Sequence, residues 1–378
     1  MVLEDMLYFF SSSGFMNISL SQVFMIILGL IIIYIAISKH AEPLLLIPLG
    51  FGMIIANIPP EVTGVLMQPE NGQPGGLLWY IKLGLDKGIY PPLIFLGIGA
   101  LTDFSYLIAN PKLILLGGAA QIGIFISFIL ANLIGFNINS AAAIGMIGGA
   151  DGPTSIYLAS KFSPDLLPVI AVAAYSYISV IPILQPFISK MLTTKRERKI
   201  RMRRLRVVSK RERIIFPIVT TILVSLIVPQ SLPLIGMLML GNLLKESGVT
   251  GRLAEAASRF ILDTVTILLM LSVGVKATAE VFLSMVTLKI ILLGAIAFIV
   301  AMASGIGFAK LMNLFSKEKI NPLIGAAGVS AVPNSARVAQ HIAQETDPGN
   351  FILMHAMGPN VAGVIGSAIA AGMFLSVL

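Results

Sequence analysis

The feature that most constrains this chain of 378 residues is a succession of apolar segments that leaves little room for a soluble domain. They fall near 21–38, 42–57, 91–109, 112–135, 139–160 and 165–189, and again near 214–230, 233–246, 260–284, 286–312, 320–342 and 351–378. A membrane-crossing helix needs about 20 apolar residues, and several of these segments are shorter or broken by Gly and Pro. Charged residues make up 12% of the chain, roughly half the share in a soluble domain. Such a chain cannot cover itself with polar surface, so its solvent is largely lipid. The expected fold is all-helical: a polytopic membrane protein of two related repeats, inversion being the expected polarity, with broken or re-entrant helices. Its expected parts are an interfacial segment 1–20, a membrane repeat 21–189, a basic loop 190–213 and a second membrane repeat 214–378.

Charge orients this scheme. Glu4 and Asp5 stand where a signal peptide would carry positive charge, so the N-terminus reads as interfacial and not as a leader. The net charge of +8 is concentrated: twelve of the 26 Lys and Arg lie between Lys190 and Arg213, against only Glu197 and Glu212. A basic run can mark nucleic-acid binding. Here it joins two apolar segments, so it reads as a positive-inside loop facing the cytoplasm, and nucleic acid is not an expected partner. Cysteine is absent, which removes disulfides, thiolate metal sites and thiol nucleophiles. No Walker loop, zinc spacing or haem motif occurs. Energy for any transport must therefore come from an ion gradient or from a partner's chemistry.

The halves carry matching strings in the same order. PLGFGMIIAN (48–57) matches PLIGMLMLGN (233–242), LGIGA (96–100) matches LSVGV (271–275), KLILLG (112–117) matches KIILLG (289–294), and PTS (153–155) matches PNS (333–335). Duplication of this kind points to a transporter, with its site where the repeats meet. Six full crossings per half would make the repeats parallel; inversion requires one segment per half to turn back or stop short, and the segments around 139–160 and 320–342 are the candidates. Two amphipathic stretches also correspond, one through Leu77 to Ile81 and one through Leu253 to Ile261, and both are expected at the interface.

The string GGADGPTS (148–155) carries most of the chemistry. An Asp at the centre of a membrane helix costs about 2.5–3.5 kcal/mol on insertion scales, so Asp151 needs a cation or a strong donor. Gly149, Gly152 and Pro153 oppose a continuous helix. A broken helix frees carbonyls that can join the carboxylate around a hard cation, with the Thr154 and Ser155 hydroxyls beside them. The alternative is a polar surface loop with Asp151 as a plain helix N-cap. In the counterpart, NPLIGAAGVSAVPNSARVA (321–339), Asn321 and Pro322 read as a helix start, and Gly325 permits close packing. Ser330 and the break at Pro333, Asn334 and Ser335 supply oxygens opposite 151–155. Arg337 either holds a carboxylate in a bidentate way or snorkels to the surface. Asn360 offers an amide oxygen. Tyr175 and Tyr177 lie within an apolar segment, so their hydroxyls need partners or must reach the interface, ordinary core tyrosines being the plainer reading. His355 reads as a structural histidine, Lys276 and Glu280 as a helical i,i+4 pair, and Asp103 as a segment end.

GIGALTDF (97–104), GGADGPTSIYLASKF (148–162), NPLIGAAGVSAVPNSARVA and MHAMGPNVAGVIGSAIAAG (354–372) resemble the beta subunits of sodium-pumping oxaloacetate, methylmalonyl-CoA and glutaconyl-CoA decarboxylases. The resemblance covers nearly the whole chain. It implies a membrane subunit that decarboxylates carboxybiotin and exports Na+, with uptake of a proton from outside. The implied cofactors are Na+ and the carboxybiotin of a partner. The implied partners are a biotin-carrier subunit, a carboxyltransferase alpha subunit, a small gamma or delta membrane subunit and further copies of the chain, in the bacterial inner membrane. The family's important residues match Asp151, Tyr175, Tyr177, Asn321, Gly325, Ser330 and Arg337. The Na+ ligands expected are Asp151, Thr154, Ser155, Asn321, Ser330, Asn334 and Asn360. Arg337 is expected to hold the biotin carboxylate, and the resemblance also implies a core moving against a scaffold. The chain is shorter than oxaloacetate-type members, which favours the acyl-CoA decarboxylases. A stand-alone secondary sodium transporter, moving an organic anion or a proton, is the competing class.

Overall fold

The computed structural model describes residues 13–70 and 72–378; most of the expected interfacial segment, residues 1–12, lies outside them. Before the basic loop come α1 (Leu20–Ser38), α2 (Pro43–Asn57), α3 (Leu77–Asp86), α4 (Tyr90–Leu101), α5 (Pro111–Leu133), α6 (Ile138–Gly149), α7 (Gly152–Phe162) and α8 (Leu167–Leu192). After it come α9 (Lys210–Ile227), α10 (Leu232–Glu246), α11 (Gly251–Val275), α12 (Met285–Phe315), α13 (Leu323–Ala326), α14 (Asn334–Thr346) and α15 (Leu353–Val377). The described residues form no strand. Six of the helices (α1, α5, α8, α11, α12 and α15) are long and apolar enough to cross a membrane. The chain is a multi-pass, all-helical membrane protein.

The basic loop defines one face of the molecule. Ser209 and Glu212 form a capping box at the start of α9, so the loop ends as a helix begins. Around it, Arg201 pairs with Asp347 at 2.9 Å, Arg203 with Glu318 at 2.6 Å and Lys190 with Glu345 at 2.6 Å. The Arg201 guanidinium holds Asp347 below the usual carboxylate range. Such exposed pairs contribute little stability singly, but they fix which helix ends lie at this face. Arg206 also donates to the Ile108 carbonyl, placing the approach to α5 there.

These ties show how the broken segments thread. The chain enters α5 at the loop face and leaves α8 there, so the link between their far ends, α6 and α7, is reached from the opposite face. Ser140 and Ser163, at the outer ends of α6 and α7, share a hydrogen bond of 2.6 Å, which closes this link as a hairpin. The second hairpin, α13 and α14, has both ends at the loop face: the amides of Asn321 and Asn350 each donate to the carbonyls of Arg198 and Ile200. Two hairpins thus dip in from opposite faces, and their tips meet where the Ser330 N–H donates to the Gly149 carbonyl at 3.0 Å. Within each hairpin one hydroxyl spans the two limbs at the same spacing. Ser155 donates to Met146 at 3.1 Å, and Ser335 donates to Ala326 at 3.1 Å. This arrangement is consistent with two inverted copies of one unit.

Packing repeats the pattern with partners exchanged. In the first half α2 lies against α11; in the second, α10 lies against α4. Both crossings are glycine clasps. A Cβ on Gly52 or Gly274 would run into the backbone at Leu271 or Leu49, and one on Gly241 or Gly99 into the backbone at Leu96 or Leu238. The structure therefore pairs Gly52 with Gly241, one helical turn away from the register that the strings 48–57 and 233–242 suggest. Apolar sequence repeats so readily at four-residue spacing that letters alone do not fix the register. Contacts concentrate within two groups of helices, α1–α4 with α9–α11, and α5–α8 with α12–α15.

Of three smaller expectations, two are corrected and one is met. Lys276 pairs with Asp86 at 2.5 Å and not with Glu280, because α11 ends at Val275 and Glu280 belongs to a separate short turn. Trp79 and Tyr80 sit on the short amphipathic helix α3 as expected, but the matching stretch from Leu253 is the first part of α11 itself, which contains a π-helical turn, Ala257–Ile261. Asp103 does close a segment: it follows α4 and accepts the Ser105 N–H at 2.8 Å.

Candidate functional site

The meeting point of the hairpin tips is built around Asp151. α6 ends in the tight turn Met146–Gly149 because glycine at 148 lets the α5 backbone pass; a Cβ there would lie 2.7 Å from the Gly123 carbonyl oxygen. Ala150 then takes a left-handed conformation, φ 55°. For a residue with a side chain this costs about 1–2 kcal/mol, and such strain persists where the surroundings dictate it. It turns the chain so that Asp151 caps α7, its Oδ1 accepting the Thr154 N–H at 3.3 Å. Asp151 is 5% exposed. Its Oδ2 accepts a 2.6 Å hydrogen bond from Ser367 on α15. The N-cap reading and the buried-carboxylate reading are thus both met by one residue: Asp151 caps a helix, at the inner end of a broken segment and not at the surface.

Several buried oxygens around this carboxylate have no hydrogen-bond partner: Thr154 Oγ1, Ser330 Oγ and the Tyr175 hydroxyl. Tyr175 lies against Gly152, where any side chain would strike its ring. Gln121 Oε1 is also unpartnered and lies near Gly149 and Gly366, at the kink where α5 changes from Ile114–Ala120 to Ile122–Leu133. Asn360 donates to Ala327 at 2.9 Å and Val329 at 2.7 Å, leaving its Oδ1 unpartnered one residue from Ser330. Buried polar atoms are nearly always satisfied, so this concentration of lone pairs marks a place for a ligand. The described residues contain no cluster of three His, Cys, Asp or Glu. The donors here are one carboxylate and neutral oxygens, which suits a hard cation of low charge.

Two cavities reach Asp151, both with Ile98, Ser330 and Val332 in their walls. One, of about 530 Å³, runs between the two helix groups past Tyr175 and Asn334 to Glu42 and Asp263. Its lining carries three acids and no Lys or Arg. The other, of about 580 Å³, runs past Arg337 to Asp103, Tyr106 and Met354. Arg337 is an exposed residue with no acidic partner among the described residues.

The structure therefore brings together Asp151, Thr154, Ser330, Asn334, Tyr175 and Arg337, and places Asn360 behind them. It does not bring in Asn321, whose amide ties the second hairpin to the basic loop, nor Tyr177, whose hydroxyl donates to the Ile291 carbonyl while its ring packs on Phe298. Ser155 is buried beside Asp151, but its hydroxyl is used to hold the hairpin limbs together. Gly325 packs backbone to backbone on Gly305. Sequence reasoning missed Ser367, Gln121, Glu42 and Asp263. Gln121, an amide in the middle of an apolar span, was a visible signal; Ser367, inside a small-residue string, was not.

A family model described as Na+-transporting oxaloacetate decarboxylase beta subunit matches residues 21–378. The methylmalonyl-CoA decarboxylase subunit beta of Propionigenium modestum is 52% identical over 394 residues, covering 99% of each chain. The glutaconyl-CoA decarboxylase subunit beta of Acidaminococcus fermentans is 54% identical, covering 97% of this chain and 96% of that one. The oxaloacetate decarboxylase beta chain of Klebsiella pneumoniae is 47% identical, covering 96% of each chain. With matches of this extent, the chain belongs to the family of beta subunits of Na+-transporting decarboxylases.

Proposed function

We propose that this chain couples the decarboxylation of carboxybiotin, carried by a partner subunit, to movement of Na+ out across the bacterial inner membrane. The observation that carries the reading is Asp151: a buried carboxylate among unpartnered oxygens, at the inner end of both an acidic cavity and a cavity holding Arg337. Na+ enters along the acidic cavity and is held by Asp151 with Thr154, Ser330 and Asn334, while Asn360 and Ser155 shape the hairpins around it. Carboxybiotin enters the other cavity from the basic-loop face, which the positive-inside rule assigns to the cytoplasm. The Arg337 guanidinium is suited to its carboxylate. The N–CO₂⁻ bond breaks, its electron pair stays on the ureido nitrogen, that nitrogen takes a proton, and CO₂ leaves. Asp151 cannot hold a proton and Na+ strongly at once, so delivery of the proton and release of Na+ are coupled. Tyr175, against Asp151, lines the proton's route.

The boundary between the two helix groups passes through the acidic cavity, which fits one group moving against the other to expose the site alternately. We assign the repeats to 21–189 and 214–378. A biotin carrier, a carboxyltransferase alpha subunit and a small gamma or delta subunit complete the complex, with more than one copy of this chain. The deciding experiment uses the complex reconstituted in vesicles with radioactive sodium. Substrate should drive uptake, and avidin, which sequesters biotin, should abolish it. Uptake that persists with avidin is the behaviour of a stand-alone transporter and would overturn the proposal.

A further inference from the structure

Two cavities outside the Asp151 site share a wall near the loop face. The first is a groove of about 730 Å³ between α9 on one side and α5 and α15 on the other, lined almost wholly by apolar residues such as Ile114, Phe125, Phe216, Leu223 and Ile369. Its floor includes Gly118, where an added Cβ would meet nothing within 4 Å, so this is open space and not packed core. The second, of about 710 Å³, lies under the basic loop and carries seven Lys and Arg against one Glu in its lining. Arg201, Arg203 and Arg206 are paired with Asp347, Glu318 and Glu212. Lys112, Arg204 and Lys317 have no acidic partner among the described residues.

A second, independent observation points to a ligand in the basic cavity. His355 lines it, is 6% exposed, and its Nδ1 has no hydrogen-bond partner. The ring's other nitrogen donates to the Arg203 backbone, so this open nitrogen is an acceptor and is suited to a hydroxyl of a ligand's polar head, beside cations suited to its phosphate. The two cavities meet at one seam. Glu212 lines the groove, and its ion-pair partner Arg206, 2.6 Å away, lines the basic cavity. Ile108 and Ile114 line the groove, while Ala109, Asn110 and Lys112 between them line the basic cavity.

We propose that the two cavities together hold one anionic phospholipid, with an acyl chain in the groove, the headgroup phosphate between Lys112 and Arg204, and a headgroup hydroxyl donating to His355 Nδ1. The groove lies at membrane depth, where hydrocarbon is the solvent, and the basic cavity lies at the headgroup level of the positive-inside face, where anionic lipid is attracted to Lys and Arg. The lipid sits between α9, in one helix group, and α5 and α15, in the other. It therefore acts as a wedge at a boundary that movement of the groups would change. Gln121 and Gly366 form part of the same groove wall, next to the Ser367 that bonds Asp151.

The test is native mass spectrometry of the purified chain in delipidating detergent, titrated with dioleoylphosphatidylglycerol or dioleoylphosphatidylcholine. The anionic lipid should be retained about tenfold more tightly than the zwitterionic one, and Lys112→Gln with Arg204→Gln should remove that preference. Gly118→Phe, which fills the open groove, should weaken both lipids about tenfold; Ile369→Trp is the second filling variant should the first misfold. Equal retention of the two lipids by the native chain overturns the proposal. So does soluble glycerol phosphate competing at equal strength with no effect of filling the groove, which would make this a site for free anions. Retention of no lipid would leave the groove to a helix of another chain and overturns it too.

Discussion

Replacing Asp151 by Asn removes one charge from the site while leaving its architecture nearly intact. Asn caps a helix as well as Asp does, so the Thr154 N–H keeps its acceptor. Ser367 retains its 3.0 Å bond to the Val364 carbonyl. What is lost is the single formal negative charge among the unpartnered oxygens. Two unit charges 4 Å apart attract by about 4 kcal/mol at an effective dielectric of about 20. Relief of the buried carboxylate's own desolvation offsets part of this. A net loss of about 3 kcal/mol is about two orders of magnitude in sodium affinity. The loss of a titrating group also removes the exchange of Na+ for a proton. In the reconstituted complex, carboxyl transfer to biotin should continue, carboxylated carrier should accumulate, and CO₂ release and radioactive sodium uptake should fail even at high sodium. Sodium uptake at the wild-type rate would refute the assignment of Asp151. Loss of carboxyl transfer together with pumping would mark a failure of assembly, which the unfolding temperature of the purified variant would reveal directly.

The remaining predictions test the surroundings of that residue. Arg337→Lys loses the planar fork, so carboxybiotin decarboxylation should fall at least about tenfold, while sodium binding, followed by calorimetry, stays near wild type; unchanged turnover would assign Arg337 to the surface. Ser367→Ala deletes a hydrogen bond to a charged group, worth about 1.5–3 kcal/mol, and the half-saturating sodium concentration should rise about tenfold or more; no change would remove Ser367 from the site. Gly274→Ala forces a methyl group into the Leu49 backbone and should destabilise the α2–α11 clasp by about 1–3 kcal/mol, read as a lower unfolding temperature. Because the chain has no cysteine, Arg204→Cys gives a unique thiol on the basic loop. An impermeant maleimide should label it only after the cells are opened, and labelling in intact cells would reverse the orientation.

The sequence by itself determined the class of fold, the break at 148–155, the counterpart break near 330–335 and the buried role of Asp151. Those properties are local: apolar length, a charge within it, and the Gly and Pro that interrupt it are all written in neighbouring residues. The basic loop was equally legible, because twelve cations within one short segment need no partner to be read. Tertiary structure decided which candidates stand together. Asn321, Tyr177 and Tyr175 are equally polar residues in equally apolar surroundings, yet only Tyr175 reaches Asp151. The first two spend their groups on carbonyls of the basic loop and of α12. The bond that completes the Asp151 carboxylate comes from Ser367, 216 residues away. The glycine clasps set Gly52 and Gly241 in corresponding places, one turn away from the register of the matching letters. The physical reason is the same in each case: in a membrane interior every polar group must find a partner, and that partner is chosen by how helices pack in three dimensions and not by its distance along the chain.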